Sequence, residues 1–274
     1  MKCIQLVCGP AGSGKSTYVS ALQEHCSNNG RTIHVCNLDP GADHFNYDVA
    51  FDIRDLISVE DVMEELEYGP NGANIYCHEY LLQNMDWLQE QLCQYDEDEY
   101  LIFDCAGQIE LYTHLDVMRR FCEDLKMWGY NVVGVFVIDA TFVTDPAKFI
   151  SGSLLSLSCM LKLELPHINV LSKCDLIPKT ELDAILDTKS ARDIPLTLNS
   201  DNTMLQELTR DIMEVIDDFS QVSFLPLNVR DEESIETVLA HADHALQWGE
   251  GEDVKVNDEL LGGGGRIRSN ENVS

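Results

Sequence analysis

The stretch Gly9-Pro10-Ala11-Gly12-Ser13-Gly14-Lys15-Ser16-Thr17 constrains this chain more than any other. It satisfies G-x-x-x-x-G-K-[ST] at every fixed position, and its surroundings suit that motif. A short apolar run (Cys3, Ile4, Leu6, Val7, Cys8) precedes it as a buried strand would. After it come Val19, Leu22 and Cys26 at helical spacing, with Gly30 placed to end the helix. Glycines let backbone N–H groups turn inward around phosphate oxygens, where side chains would block the approach. The helix N-terminus adds partial positive charge, Lys15 can reach the β- and γ-phosphates, and Ser16 can hold Mg²⁺. The competing reading is a Gly-rich turn that happens to carry a lysine. The strand–loop–helix order weighs against it, and the expectation is a bound nucleoside triphosphate held by Gly12, Ser13, Gly14, Lys15, Ser16 and Thr17.

The rest of the chain is read outward from that loop. Thr32 to Leu38 predicts a second strand that ends in Asp39-Pro40-Gly41. A carboxylate at such a strand tip faces the ligand side of an open α/β sheet, so Asp39 is a candidate for orienting Mg²⁺ or an attacking water. An Asp-Pro turn explains it equally well. Residues 42–99 are the least regular. Helices are predicted around Val59–Leu66, capped by Ser58, and around Tyr80–Leu92. Gly69-Pro70-Asn71-Gly72 between them reads, by turn chemistry alone, as a tight turn. Tyr100 to Asp104 is an apolar strand ending in a carboxylate, as in a Walker B element. Gly107 beyond it frees the backbone to approach a phosphate, and Gln108 could orient a water.

Val132 to Ile138 predicts a central parallel strand, with Asp139 ending it. Asp145-Pro146 predicts the start of a helix running to about Leu163. His167 to Leu171 is a further strand, followed by Ser172-Lys173-Cys174-Asp175, which resembles the N-K-x-D base-reading element of GTPases. A carboxylate accepts from both N1–H and the exocyclic amine of guanine, whereas adenine offers an acceptor at N1. The stem of Lys173 can lie along the base. A helix is expected over Asn202–Phe219 and a strand over Val222–Val229, where a backbone amide of Leu227-Asn228-Val229 could touch guanine O6. A last helix is expected over Glu232–Trp248. Beyond Gly249 the residues carry few large apolar side chains, and a flexible tail is expected over 249–274.

Composition narrows the partners. The formal net charge is -30, which repels phosphate backbones; the 18 basic residues form no patch, so direct nucleic-acid binding is not expected. None of the ten cysteines stands in a C-x-x-C pair, and most lie in apolar runs. Met1 leads straight into the first strand, so no secretory leader is expected. No apolar run approaches the ~20 residues of a membrane span. The expectation is a reducing, intracellular setting.

Taken together, these elements resemble the GPN-loop GTPases over about residues 1–248. The motifs that carry the resemblance are the phosphate loop, the Asp39-Pro40 turn, Gly69-Pro70-Asn71, the run from Asp104 to Glu110, and Ser172 to Asp175. The resemblance implies an α/β P-loop NTPase fold of three layers: a mainly parallel central sheet, and a helical insertion (about 42–99) carrying the Gly-Pro-Asn loop. It implies that Ser16, Asp39 and Asp104 hold Mg²⁺, that Asp39, Asp104 and Gln108 organise metal and water, and that Ser172, Lys173, Cys174 and Asp175 read the guanine of GTP or GDP. It implies that Gly69, Pro70 and Asn71 reach across a dimer, with Asn71 acting on the partner's site in place of an arginine finger. It also implies a paralogous partner or a second copy, a role in assembly or nuclear import of RNA polymerase II, and a cytoplasmic location with shuttling to the nucleus. Ser172 departs from the asparagine of many GTPases, and its shorter side chain is expected to loosen the base-binding loop.

Two other readings share the phosphate loop. A P-loop kinase needs an acceptor site and commonly an arginine-rich lid; the nine arginines here form no such cluster, and Asp175 would go unexplained. A GTP-binding scaffold without turnover has no need of Lys15, Asp104 and Gln108 together.

Overall fold

Seven strands pair in one sheet among the described residues: β1 (Cys3–Cys8), β2 (Ile33–Leu38), β3 (Val49–Asp52), β4 (Tyr100–Cys105), β5 (Asn131–Asp139), β6 (His167–Ser172) and β7 (Phe224–Pro226). Their order is β3-β2-β4-β1-β5-β6-β7, and every pairing is parallel. Parallel strands covered on both faces should be apolar throughout, and β1, β4 and nearly all of β5 are buried residue after residue. The computed structural model describes residues 2–96, 99–144, 146–178 and 223–249, with positions 180, 182, 207, 211, 212 and 214 between the last two stretches.

Helices cover both faces and make the three layers expected. One face carries α1 (Lys15–Asn28), whose Tyr18, Val19, Leu22 and Cys26 pack with Ile235, Val238, Leu239 and Leu246 of the last helix. The other face carries α2 (Val59–Leu66), α3 (Pro70–Gln83), α4 (Met85–Leu92), α5 (Glu110–Thr113), α6 (Val117–Met127) and α7 (Pro146–Leu163). Of these, α3, α4, α6 and α7 contribute Leu81, Leu88, Phe121, Leu125, Cys159 and Leu163 to the second core. The last helix, α8, spans Glu232–Leu246. Each aliphatic side chain buried in these cores contributes roughly 1.5–3 kcal/mol.

Several local expectations need correction. Gly69-Pro70-Asn71-Gly72 is not a tight turn: Gly69 is an extended N-cap and Pro70 opens α3. Proline has its φ preset and lacks the N–H that a first turn leaves unpaired, so it favours that position. The helix expected over Tyr80–Leu92 divides at Asn84, whose side-chain amide donates to the Tyr80 carbonyl at 2.8 Å. The insertion is not wholly helical, because its Val49–Asp52 joins the sheet as edge strand β3. Strand β7 is shorter than expected, and α6 had no sequence expectation. Ser58 caps α2 as expected, accepting from the Asp61 amide at 3.2 Å. The helix expected over Asn202–Phe219 and the tail 250–274 lie outside the described residues, apart from isolated positions.

Candidate nucleotide site

The strand order reverses direction at β1, which has β4 on one side and β5 on the other. Ligands of open α/β sheets settle at the C-terminal edge of such a switch point. The phosphate loop leaves β1 there. Gly9 has φ 141, and a Cβ on it would stand 2.2 Å from the Val137 carbonyl oxygen of β5. Gly107, after β4, comes as close from the other side: its Cβ would stand 2.8 Å from Ala11 Cα. Only glycine admits both approaches. Lys15 is buried at the start of α1, and its Nζ donates to the Gly9 and Pro10 carbonyls, each at 3.2 Å.

The acidic residues converge beside this loop. Asp104 of β4 is 3% exposed and pairs in register with Val7 and Asn37. Its Oδ2 accepts from the Tyr47 hydroxyl at 2.8 Å. Its Oδ1 is buried with no hydrogen-bond partner among the described residues. Burial pushes the Asp104 carboxyl above its ordinary range, against the pull of the nearby Ser16 and Tyr47 hydroxyls and the Lys15 charge. Asp39 follows β2 at the rim, and its Oδ1 accepts from the Gly41 amide at 3.0 Å, as the turn reading expects. Asn37 fixes that turn from both sides, donating to the Asp39 carbonyl and accepting from its amide.

Whether these residues suit Mg²⁺ can be judged from their donors. Mg²⁺ takes one or two carboxylates, completed by phosphate oxygens and waters, rather than an all-protein cage. No group of three or more His, Cys, Asp or Glu side chains converges among the described residues. An orphaned Asp104 oxygen beside a hydroxyl and a phosphate cradle is the donor set such an ion needs, so the residues fit.

Gln108 and Asn71 meet at the same edge. Gln108 Nε2 donates to Asn71 Oδ1 at 3.4 Å within one chain, which brings the first turn of α3 to the strand-end loop. The sequence reading assigned Asn71 only to a partner's site; this contact shows what it reaches at home.

The loop from Ser172 to Asp175, expected to read the base, is joined to the phosphate loop through backbone. Ser172 is buried, and its hydroxyl is shared between the Ser13 carbonyl and the Ile138 carbonyl. The short side chain therefore clasps the two loops, which corrects the loosening expected of it. Lys173 has a left-handed backbone (φ 59), and its Nζ donates to the Gly12 carbonyl at 2.8 Å and to Asp139 Oδ2 at 2.6 Å. Cys174 follows, buried, with its amide on the Leu227 carbonyl at 3.2 Å. Asp175 Oδ2 lies 3.8 Å from Arg230 Nε. Of the amides expected near guanine O6, that of Leu227 goes to Leu171 and that of Asn228 to the Ser234 hydroxyl. Val229 is left as the candidate donor.

Two residues escaped the sequence reading as parts of this site. Asp139 was taken only as a strand end, though its position at a β-tip beside the loop was a usable signal. Tyr47 had none: it lies in a polar loop far from Asp104 in sequence.

Residues 7–248 match a family described as conserved hypothetical ATP binding protein. The chain is 47% identical over 264 residues to GPN-loop GTPase 3 of Danio rerio, covering 93% of this chain and 92% of that protein. It is 46% identical to GPN-loop GTPase 3 of Saccharomyces cerevisiae over 263 residues, 93% of this chain and 96% of that one. Among solved structures, one described as a GTPase in apo form from Pyrococcus abyssi superposes with a TM-score of 0.71. It is 23% identical and covers 89% of this chain and 97% of its own, a likeness of fold.

Proposed function

The chain belongs to the GPN-loop GTPase family and is a P-loop GTP hydrolase, and on that footing we propose that Asp175 and the Gly12–Thr17 cradle grip the two ends of one guanine nucleotide. The observation that carries this reading is the double tie between the loops: Ser172 to the Ser13 carbonyl and Lys173 to the Gly12 carbonyl. Two loops so joined lie side by side at the C-terminal edge of the sheet. The family description that names ATP is met by the chemistry of Asp175, whose carboxylate repels the N1 lone pair of adenine.

In the proposed mechanism Lys15 exchanges the Gly9 and Pro10 carbonyls for β- and γ-phosphate oxygens, and the loop amides hold the same group. Gln108, steadied through its amide nitrogen by Asn71, keeps its carbonyl oxygen to accept from an attacking water. Charge that develops on the phosphate is offset by Lys15 and backbone N–H groups. Mg²⁺, held by Ser16 and Asp104 with Asp39 nearby, would neutralise phosphate charge.

The resemblance extends the proposal to a dimer, with a paralogous GPN-loop subunit or a second copy, in which Asn71 also serves the partner. It extends it further to RNA polymerase II assembly or nuclear import, with the chain cytoplasmic and shuttling to the nucleus. Exposed Met63, Leu66 and Tyr68, next to the start of α3, support a protein partner on that side.

Calorimetry with GDP, a non-hydrolysable GTP analogue and ATP tests the core of this reading. Heat with both guanine nucleotides and at least about a hundredfold weaker ATP binding is expected. Absence of heat with GDP overturns it, and ATP preference together with transfer to a nucleoside acceptor favours the kinase. Phosphate release measured on the chain alone and with its partner separates turnover from a scaffold. A solution mass with the GTP analogue reads the dimer.

A further inference from the structure

The buried hydrogen bond from Tyr47 to Asp104 has no counterpart in the motifs that identify the site. We propose that Tyr47 is the positioning residue for Asp104, fixing Oδ2 of the carboxylate so that Oδ1 is the oxygen kept for a divalent cation. The inference rests on the nucleotide-site reading above and adds a residue to it.

A carboxylate on a strand has two oxygens and a soft terminal torsion, so a single ligand can find either oxygen at several angles. At Asp104 that freedom is gone. Oδ2 receives the phenol at 2.8 Å, and Oδ1 is buried without a partner among the described residues.

The loop that carries Tyr47 is itself held on both sides of that residue. Ser20 Oγ donates to the Asn46 carbonyl at 2.8 Å. Gln23 bonds Asp48 twice, donating to its carbonyl at 2.9 Å and accepting from its amide at 2.8 Å. Both anchors belong to α1, the helix that begins with Lys15 and Ser16. The Arg54 guanidinium adds a third, standing 4.8 Å from the Phe45 ring centre and donating to the Ala42 carbonyl at 2.7 Å. Asp52 in turn clamps Arg54. One rigid helix therefore fixes both the residues that grip phosphate and the residue that aims the Walker B carboxylate.

The test is Tyr47→Phe in the full chain, which removes one hydroxyl. A fluorescent GDP analogue is titrated with excess Mg²⁺ and again with a chelator, and Mn²⁺ bound in the GDP complex is counted by electron paramagnetic resonance. Affinity in chelator should stay within about twofold of the unsubstituted chain, while the gain from Mg²⁺ falls about tenfold, as expected for one hydrogen bond to a charged group. Bound Mn²⁺ should fall in parallel. A Mg²⁺ gain equal to that of the unsubstituted chain overturns the inference. So does an equal loss with and without metal, which marks a general structural role. If the unsubstituted chain binds no guanine nucleotide, the site reading fails first. If it binds GDP with no gain from Mg²⁺, only the metal role of Asp104 and this inference fall. Ser20→Ala combined with Gln23→Ala leaves the phenol in place and frees its loop. This pair should show the same split at about threefold, and stands in if Tyr47→Phe does not fold.

Discussion

Lys173 Nζ stands 2.6 Å from Asp139 Oδ2 while donating to the Gly12 carbonyl at 2.8 Å. One ammonium group thus links the tip of β5, the loop after β6 and the phosphate loop. Burial pulls the Asp139 carboxyl up, yet hydrogen bonds from Lys173 and Thr141 hold it below the ordinary range. Asp139→Asn keeps the volume and an oxygen for the Thr141 amide but loses the charge. The pair is partly exposed and worth about 1 kcal/mol, so affinity for GDP should fall about fivefold. Titration with a fluorescent GDP analogue reads this, and an unchanged affinity would show that the Gly12 contact alone places Lys173.

Asp175 should decide which base is bound. Asp175→Asn replaces an acceptor-only carboxylate by an amide that can donate. Guanine then meets N–H against N–H at one position, and affinity for GDP should drop by about a hundredfold or more. Xanthine, with an oxygen where guanine carries its amine, pairs with that amide. Competition between GDP and xanthosine diphosphate on the variant checks the inversion. If the variant still prefers guanine, Asp175 does not read the base.

The parts of this site that were legible in the sequence are those set by short spacings. The cradle of Gly9–Thr17 is built from adjacent residues, and strand-end carboxylates such as Asp104 follow visible apolar runs. Strand β3 was not legible because Val49–Asp52 is a four-residue edge strand, too short for alternation to register. Helix α6 was legible and simply not drawn: Val117, Met118, Phe121, Cys122 and Leu125 recur at helical spacing among charged residues and form its buried face. Tyr47 lies 57 positions from Asp104, and Asp139 lies 34 from Lys173. Such partners are chosen by the tertiary approach of loops, which leaves no periodic trace.

Gly107 should be irreplaceable for a reason of space. A methyl group there would stand 2.8 Å from Ala11 Cα and 3.1 Å from the Ala11 nitrogen, both backbone, so the phosphate loop would have to move. Gly107→Ala should lower GDP affinity by at least about tenfold while costing only about 1–3 kcal/mol of stability. Affinity and urea unfolding on the same preparation separate the two effects. Unchanged affinity would mean that the cradle tolerates the shift.

Asn71 and Gln108 should act as one unit. Their amides meet at 3.4 Å, so removing either releases the other. Asn71→Ala and Gln108→Ala should each leave nucleotide affinity within about twofold and cut phosphate release by at least about tenfold, and the double variant should lose little more than either single one. Additive losses would separate their roles. An Asn71→Ala chain with unchanged turnover would remove that residue from the reaction.

His167 should make the fold sensitive to acid. Its two ring nitrogens are shut off from solvent and have no hydrogen-bond partner among the described residues, with the Phe136 ring 6.2 Å away. Burial pushes the imidazole down from 6.5 to about 4, against the pull of the nearby Asn169 side chain. Between those values the unfolded chain binds the proton and the folded one does not, so stability is fully present above pH 6.5 and is lost as pH falls toward 4. The shift amounts to about 3 kcal/mol over that window. His78, buried and also held below its ordinary range by desolvation, adds a slope of the same sign. Urea unfolding from pH 7 to pH 4 should therefore show a clearly flatter decline for His167→Phe than for the unsubstituted chain, whatever the absolute stability of the variant. The slope is the diagnostic, because repacking around a new ring shifts the curve without tilting it. Identical slopes would mean that the imidazole is charged, or reached by water, in the folded protein.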